Sequence, residues 1–190
     1  MEAPARECGG CSLCCVVLRV DELGKLGGVP CEKLRPEGGC GIHSTRPGIC
    51  RAYRCLWLRG GLEEADRPDQ LGAVLDVSSE AGAAFLAIRE ASAGTFARTP
   101  RLREIADEYR QSMPVRVTSG DDVLNPDRPY RVLLPGGEER LVEGETITIV
   151  RDGQPPETRR MPWLDRGVRR VVLRVEAWRV RRMQRRRPPP

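Results

Sequence analysis

Two apolar runs, residues 71 to 77 (Leu-Gly-Ala-Val-Leu-Asp-Val) and 83 to 91 (Ala-Ala-Phe-Leu-Ala-Ile-Arg-Glu-Ala), are separated by the turn material Ser78-Ser79-Glu80-Ala81-Gly82. That pattern predicts a β-hairpin. Thr99 and Pro100 then have the form of a helix N-cap and first helical residue, and Leu102, Ile105, Ala106 and Tyr109 follow at helical spacing, so a helix is predicted to run to about Met113-Pro114. Further strands are expected at Val115 to Thr118, Tyr130 to Leu134 and Thr146 to Val150. Turn signals at Pro135-Gly136-Gly137 and Glu143-Gly144-Glu145 flank a short Glu139 to Val142 run between the last two. Residues 151 to 162 contain Pro155, Pro156 and Pro162 and predict a loop. Beyond it, Val168, Val171, Val172, Val175, Trp178 and Met183 approximate an apolar helical stripe, with Arg169, Arg170, Arg174, Arg181 and Arg182 largely elsewhere on the wheel. This predicts a basic amphipathic helix followed by a disordered tail, Arg185 to Pro190.

Residues 1 to 60 behave differently. Gly, Pro and Cys punctuate short apolar runs such as Val16-Val17-Leu18, and no helix of normal length fits without breaks. The expected fold class is therefore α+β: a Cys-rich, metal-stapled N-terminal segment (1 to 60) on a small antiparallel sheet with one or two helices (61 to 156). The basic helix and Arg/Pro tail form the third part, residues 157 to 190.

Composition sharpens this division. Leu, Ile, Val and Phe make up about 23% of the 190 residues, just above the roughly 20% below which chains look disordered, so a core can form but is thin. Net charge is +3 in residues 1 to 60, -7 in 61 to 156 and +9 in 157 to 190. The C-terminus is a basic arm on an acidic body. Thirty of the 32 basic residues are Arg, which reads as compositional bias, and Lys25 and Lys33 are the exceptions. The N-terminal sequence lacks a basic region followed by an apolar stretch of roughly 7 to 15 residues. The most apolar window, Ala81 to Ile88, is far short of the roughly 20 residues a spanning helix needs. A cytoplasmic protein with no membrane association is expected.

All eight cysteines lie between Cys8 and Cys55, spaced Cys8-x2-Cys11-x2-Cys14-Cys15, then Cys31, Cys40, Cys50 and Cys55. Thiolates separated by two residues can curl onto one metal ion, which is why such loops recur in zinc and iron-sulfur sites. In a reducing compartment, clustered cysteines bind metal or do redox chemistry more often than they form disulfides. Adjacent Cys14 and Cys15 are expected to point apart, which suggests more than one metal or a bridging thiolate. Two tetrahedral sites, a fused zinc cluster, and an iron-sulfur cluster beside a second centre all fit the spacing. The candidate ligands are Cys8, Cys11, Cys14, Cys15, Cys31, Cys40, Cys50 and Cys55, and the expected cofactor is zinc or iron, in more than one equivalent.

Cys8-Gly-Gly-Cys11-Ser-Leu-Cys14-Cys15, and then Gly39-Cys40-Gly-Ile-His43-Ser-Thr-Arg46-Pro47-Gly-Ile-Cys50-Arg51-Ala-Tyr53-Arg-Cys55-Leu-Trp57-Leu58, resemble the YkgJ-like cysteine-cluster family. Its CxxCxxCC proteins are described as zinc- or iron-chelating. The resemblance covers about residues 5 to 75, including Arg67-Pro68, and implies a bacterial cytoplasmic metal-binding protein. A flagellin lysine methylase is similar in its cysteine motif and is linked to an iron-sulfur cluster and methyl transfer. That activity does not carry over, because no glycine-rich loop or acidic ribose partner for S-adenosylmethionine is identifiable here. Many family members have Tyr where this chain has His43.

Around the cysteines, His43 suits either a metal ligand or a loop histidine, and Arg46 and Arg51 suit either hydrogen-bond donors to sulfur or solvated surface groups. Tyr53 and Trp57 read as packing around the site. Chelation is the leading function. An enzyme ranks behind it, since zinc saturated by thiolates is structural and no third group orients a Cys-His pair. Nucleic-acid binding through the +9 arm would be salt-dependent, but the composition serves base recognition poorly. The arm also suits docking on the -7 middle of its own chain or of a neighbouring copy.

Overall fold

A computed structural model describes residues 6–80, 82–119 and 127–185. The described residues form an α+β fold, with one seven-stranded mixed sheet and six α-helices among them. Strands β1 (Ala73–Glu80) and β2 (Ala83–Glu90) form the expected hairpin, with Leu75 opposite Ile88. Strand β1 runs on to Glu80, into the expected turn, whereas β2 keeps within its expected run, and Gly82 between them has φ +83°. Ala81, within the predicted turn, lies outside the described residues.

The sheet is not purely antiparallel. Strand β3 (Val115–Ser119) pairs with β2 in parallel, Leu86 against Val115. A parallel pair needs a crossover, supplied here by helices α4 (Thr95–Arg98) and α5 (Pro100–Tyr109). Thr99 precedes Pro100 at the start of α5 as the sequence predicts, although its side chain makes no capping hydrogen bond. Leu102, Ile105 and Ala106 of α5 bury against Leu75, Leu86, Ile88, Val115 and Leu133, which is the centre of the core. Burial of a side chain of this size contributes about 1.5–3 kcal/mol.

Strands β4 (Tyr130–Leu133), β5 (Glu139–Glu143), β6 (Thr146–Val150) and β7 (Glu157–Arg160) continue as an antiparallel meander. Strand β7 occupies what the sequence predicts as loop. Its Glu-Thr-Arg-Arg sequence carries no apolar alternation, and all four residues are exposed at the sheet edge.

Helix α6 (Trp163–Gln184) is the predicted basic helix, but it faces the opposite way to an ordinary surface helix. Trp163, Leu164, Val168, Val171, Val172, Val175 and Trp178 of its apolar stripe are exposed. The half-buried side mixes Leu173, Ala177 and Val180 with charged residues, and the helix makes ion pairs with the body: Arg169 with Asp127, Arg170 and Arg166 with Glu145, and Glu176 with Arg19 at 2.9 Å. The basic arm thus docks on carboxylates of its own acidic middle. The side chain of Met183 and the tail from Arg186 lie outside the described residues. No described helix is long and apolar enough to cross a membrane.

Residues 6 to 60 contain only two α-helices, both one turn and a half or less: α1 (Leu13–Val17) and α2 (Gly48–Ala52). Turns and short 3-10 segments make up the rest. Helix α3 (Pro68–Leu71) then leads into β1 through Gly72, whose φ of +69° ends the helix in the left-handed region. Several connections fasten this part and the residues just after it to the body, among them a backbone bond and an ion pair. The Leu56 amide donates to the Leu75 carbonyl of β1 at 2.7 Å. The buried Asp66 carboxylate accepts two bonds from Arg101 of α5, at 2.9 and 2.8 Å.

Candidate metal centre

Helix α1 is too short to hold itself by propagation, and a lysine secures its end. Lys25 is buried, and its ammonium donates to the carbonyls of Val16 at 2.9 Å, Leu18, and Leu26 at 3.1 Å. Two of these carbonyls belong to the end of α1 and the residue after it, where backbone acceptors lack helical partners. Val17, Val20 and Leu26 bury around this point, giving residues 16 to 29 a small apolar nucleus.

The eight cysteines are all free thiols, each half-buried. They line one cavity of about 390 Å³, together with His43, Lys25, Arg46, Tyr53, Asp76 and Arg89. The fold therefore gathers every sequence-predicted ligand around a single space, although the residues span nearly fifty positions of chain. Local backbone bonds set them there: the Cys11 amide donates to the Cys8 carbonyl at 2.9 Å, and the Cys31 amide to the Cys15 carbonyl at 3.0 Å. Leu34 and Cys40 form a short antiparallel bridge, and Cys50 sits within α2. Among the described residues, no three His, Cys, Asp or Glu side chains are already arranged to hold a metal ion. The thiols share the cavity without converging on one point.

The electrostatics of the cavity are those of thiols that repel one another once ionised. Burial pushes the Cys11, Cys50 and Cys55 thiols up, and neighbouring cysteines raise each of them further. The adjacent Cys14 and Cys15 of α1 shift each other in opposite directions: Cys15 and burial raise Cys14, while Cys14, with Lys25 and Arg46 adding to the decrease, brings Cys15 down to about 7. Only the thiolate is a nucleophile or metal ligand, so the doublet keeps one sulfur ready near neutral pH.

His43 is exposed in a 3-10 turn at the cavity margin. Arg46 is the more telling neighbour. Its Nη1 donates to the His43 carbonyl at 3.3 Å, while its Nε is buried without a hydrogen-bond partner. A buried guanidinium N–H left unpaired is costly, and an anionic sulfur in this cavity is the chemistry that would satisfy it. Arg51, in contrast, is exposed and is not among the cavity-lining residues. Trp57 is buried, donates Nε1 to the Glu64 carbonyl at 3.1 Å, and stacks under the Arg6 guanidinium 5.0 Å from its ring centre. Its role is packing, as its sequence position suggests.

Tyr53 does more than pack. Its hydroxyl donates to Asp76 of β1 at 2.8 Å, and burial beside that carboxylate pushes the phenol well up. Lys25 as a site residue, and Asp76 as the partner of Tyr53, are the features that the sequence reading missed. The one available signal was compositional, since Lys25 is a rare lysine in an arginine-rich chain. No family model, curated protein or solved structure matches the chain.

Proposed function

We propose that residues 8 to 55 form a chelating segment that binds zinc or iron through the eight cysteines. The observation that carries this reading is the collection of all eight free thiols around one cavity. The donor set fits a thiophilic metal: sulfur is abundant, the ligands are flexible side chains on short turns, and Lys25 and Arg46 offset the charge of thiolates. The buried, unpaired Arg46 Nε adds a donor suited to metal-bound sulfur. Ion binding would supply the convergence that the thiols lack and would staple a segment with few long elements, because binding free energy at such sites is also folding free energy. The resemblance to the YkgJ-like cysteine-cluster family agrees with this role. The arginines of α6 that pair with Asp127 and Glu145 are engaged within the chain, which disfavours a phosphate-binding reading of the arm.

The test is anaerobic purification of the full chain followed by elemental analysis and visible absorption. Stoichiometric zinc in a colourless protein, or iron in a brown one, is the expected result. A chain that carries no metal and takes up neither Zn²⁺ nor Fe²⁺ would overturn the proposal.

A further inference from the structure

The Cys14-Cys15 doublet divides the thiols into two groups. Both residues lie in α1, where successive side chains leave the axis about 100° apart. Cys14 has Cys8 and Cys11 as its neighbours on one side, and those two share the turn closed by the Cys11 amide on the Cys8 carbonyl. Cys55 interacts with the same pair, Cys11 and Cys8. Cys15 belongs to a different neighbourhood. Its carbonyl accepts the Cys31 amide at 3.0 Å, the Cys31 carbonyl accepts the Leu34 amide at 2.9 Å, and Leu34 bridges to Cys40. The thiols closest in influence to Cys50 are Cys15, Cys31 and Cys40. The two groups adjoin at Cys14 and Cys15, and again where Gly38 and Gly39, just before Cys40, pack against the Gly9 and Gly10 carbonyls of the Cys8–Cys11 turn.

We propose that the chain builds two adjoining four-thiolate centres, one from Cys8, Cys11, Cys14 and Cys55, the other from Cys15, Cys31, Cys40 and Cys50. The assignment rests on the chelating role proposed above and adds a ligand set for each ion. It explains why a doublet is useful: one short helix contributes a ligand to each centre and fixes their separation. It also places the two centres in unequal surroundings. Lys25 and Arg46 stand beside Cys15, whereas Asp69 stands beside Cys11.

The intact chain allows a direct test, because cleavage after Arg6 and Arg19 releases Cys8, Cys11, Cys14 and Cys15 on one peptide. The metal-free, reduced protein is loaded with Zn²⁺, pulsed briefly with iodoacetamide, digested and mapped by tandem mass spectrometry. Without metal the peptide takes four labels, and with two equivalents it takes none. At one equivalent it should carry either three labels, on Cys8, Cys11 and Cys14, or a single label on Cys15. Two ions bound with two labels on this peptide, or with label distributed freely over the four positions, would overturn the partition while leaving chelation intact. Failure to bind Zn²⁺ or Fe²⁺ at all would overturn both readings.

A variant series supplies a second measurement. Cys31→Ser and Cys8→Ser should each retain one of two Zn²⁺ ions, and the double variant should retain none. Loss of both ions from either single variant, with far-ultraviolet circular dichroism unchanged, would show one shared cluster and overturn the two-centre arrangement.

Discussion

Tyr53 donates its hydroxyl to Asp76 at 2.8 Å, and Asp76 in turn accepts Arg89 at 2.7 Å and Ser78 at 2.9 Å. A residue between Cys50 and Cys55 is thereby tied to the first two strands of the sheet. Replacing Tyr53 with Phe removes one hydrogen bond to a charged acceptor that keeps two other partners, so stability should fall by about 1.5 kcal/mol. Urea denaturation of the metal-loaded protein would measure it; an unchanged midpoint would show that the tie is idle.

Lys25 should resist replacement. Lys25→Met leaves the carbonyls of Val16, Leu18 and Leu26 without their common donor, at a cost on the order of 2 kcal/mol. Lys25→Arg should not restore stability, since a planar guanidinium cannot occupy the compact position of an ammonium directed at three oxygens. Full recovery of the thermal midpoint in the arginine variant would refute this account.

The Asp66–Arg101 pair makes an acid-dependent contribution. Arg101 holds the Asp66 carboxyl below its ordinary value of 3.8. A depressed folded value means that stabilisation is complete above 3.8 and is lost as pH falls through the lower, folded value. Arg101→Met strands a buried carboxylate and should cost about 3 kcal/mol at pH 7, with the deficit shrinking in acid. Denaturant titrations at pH 7 and in strong acid would reveal the difference, and a deficit independent of pH would count against it.

In the metal-free, reduced protein, Cys15 should be the first thiol of the doublet to alkylate, with a midpoint at about 7. The neighbouring Cys14 is the main cause, with Lys25 and Arg46 assisting. Peptide mapping after iodoacetamide pulses across a pH series gives the order. Equal rates at Cys14 and Cys15 would contradict the asymmetry of the pair.

Helix α6 meets the body through ion pairs while Trp163, Val168 and Trp178 face outward. Partly exposed pairs weaken with salt. Limited proteolysis should therefore cleave near residues 160 to 163 faster in 1 M salt (where the screening length is about 3 Å) than at low ionic strength, and an unchanged rate would point to apolar anchoring by Leu173 and its neighbours.

Much of the architecture follows from local pattern. The β1–β2 hairpin is announced by apolar runs around Gly82, and α5 by Thr99-Pro100 with Leu102, Ile105 and Ala106 on one face. The parallel β2–β3 pairing is not local: Leu86 reaches Val115 only after the α4–α5 crossover, a choice set by tertiary packing. Strand β7 escapes because its residues are polar on both faces, and its pairing depends on β6 beside it. Period alone marks α6 as a helix with an apolar stripe, but which side meets the body is decided by Asp127 and Glu145, far away in sequence. At the cavity, the cysteines are legible by type and spacing. Lys25 is not, because its role comes from three carbonyls that only the fold brings together.

The bond from the Leu56 amide to the Leu75 carbonyl places the end of the cysteine segment on the open side of β1. Strand β1 is terminal in the sheet order, and its first four residues are buried. The segment therefore acts as a guard over a strand that would otherwise offer unpaired backbone groups to another chain. Strand β7, at the opposite end, is protected by its own charged side chains. Loosening residues 8 to 55 would uncover an apolar template while leaving the α5-backed core in place. The first consequence of losing order there is then intermolecular, strand-to-strand aggregation of an otherwise folded protein.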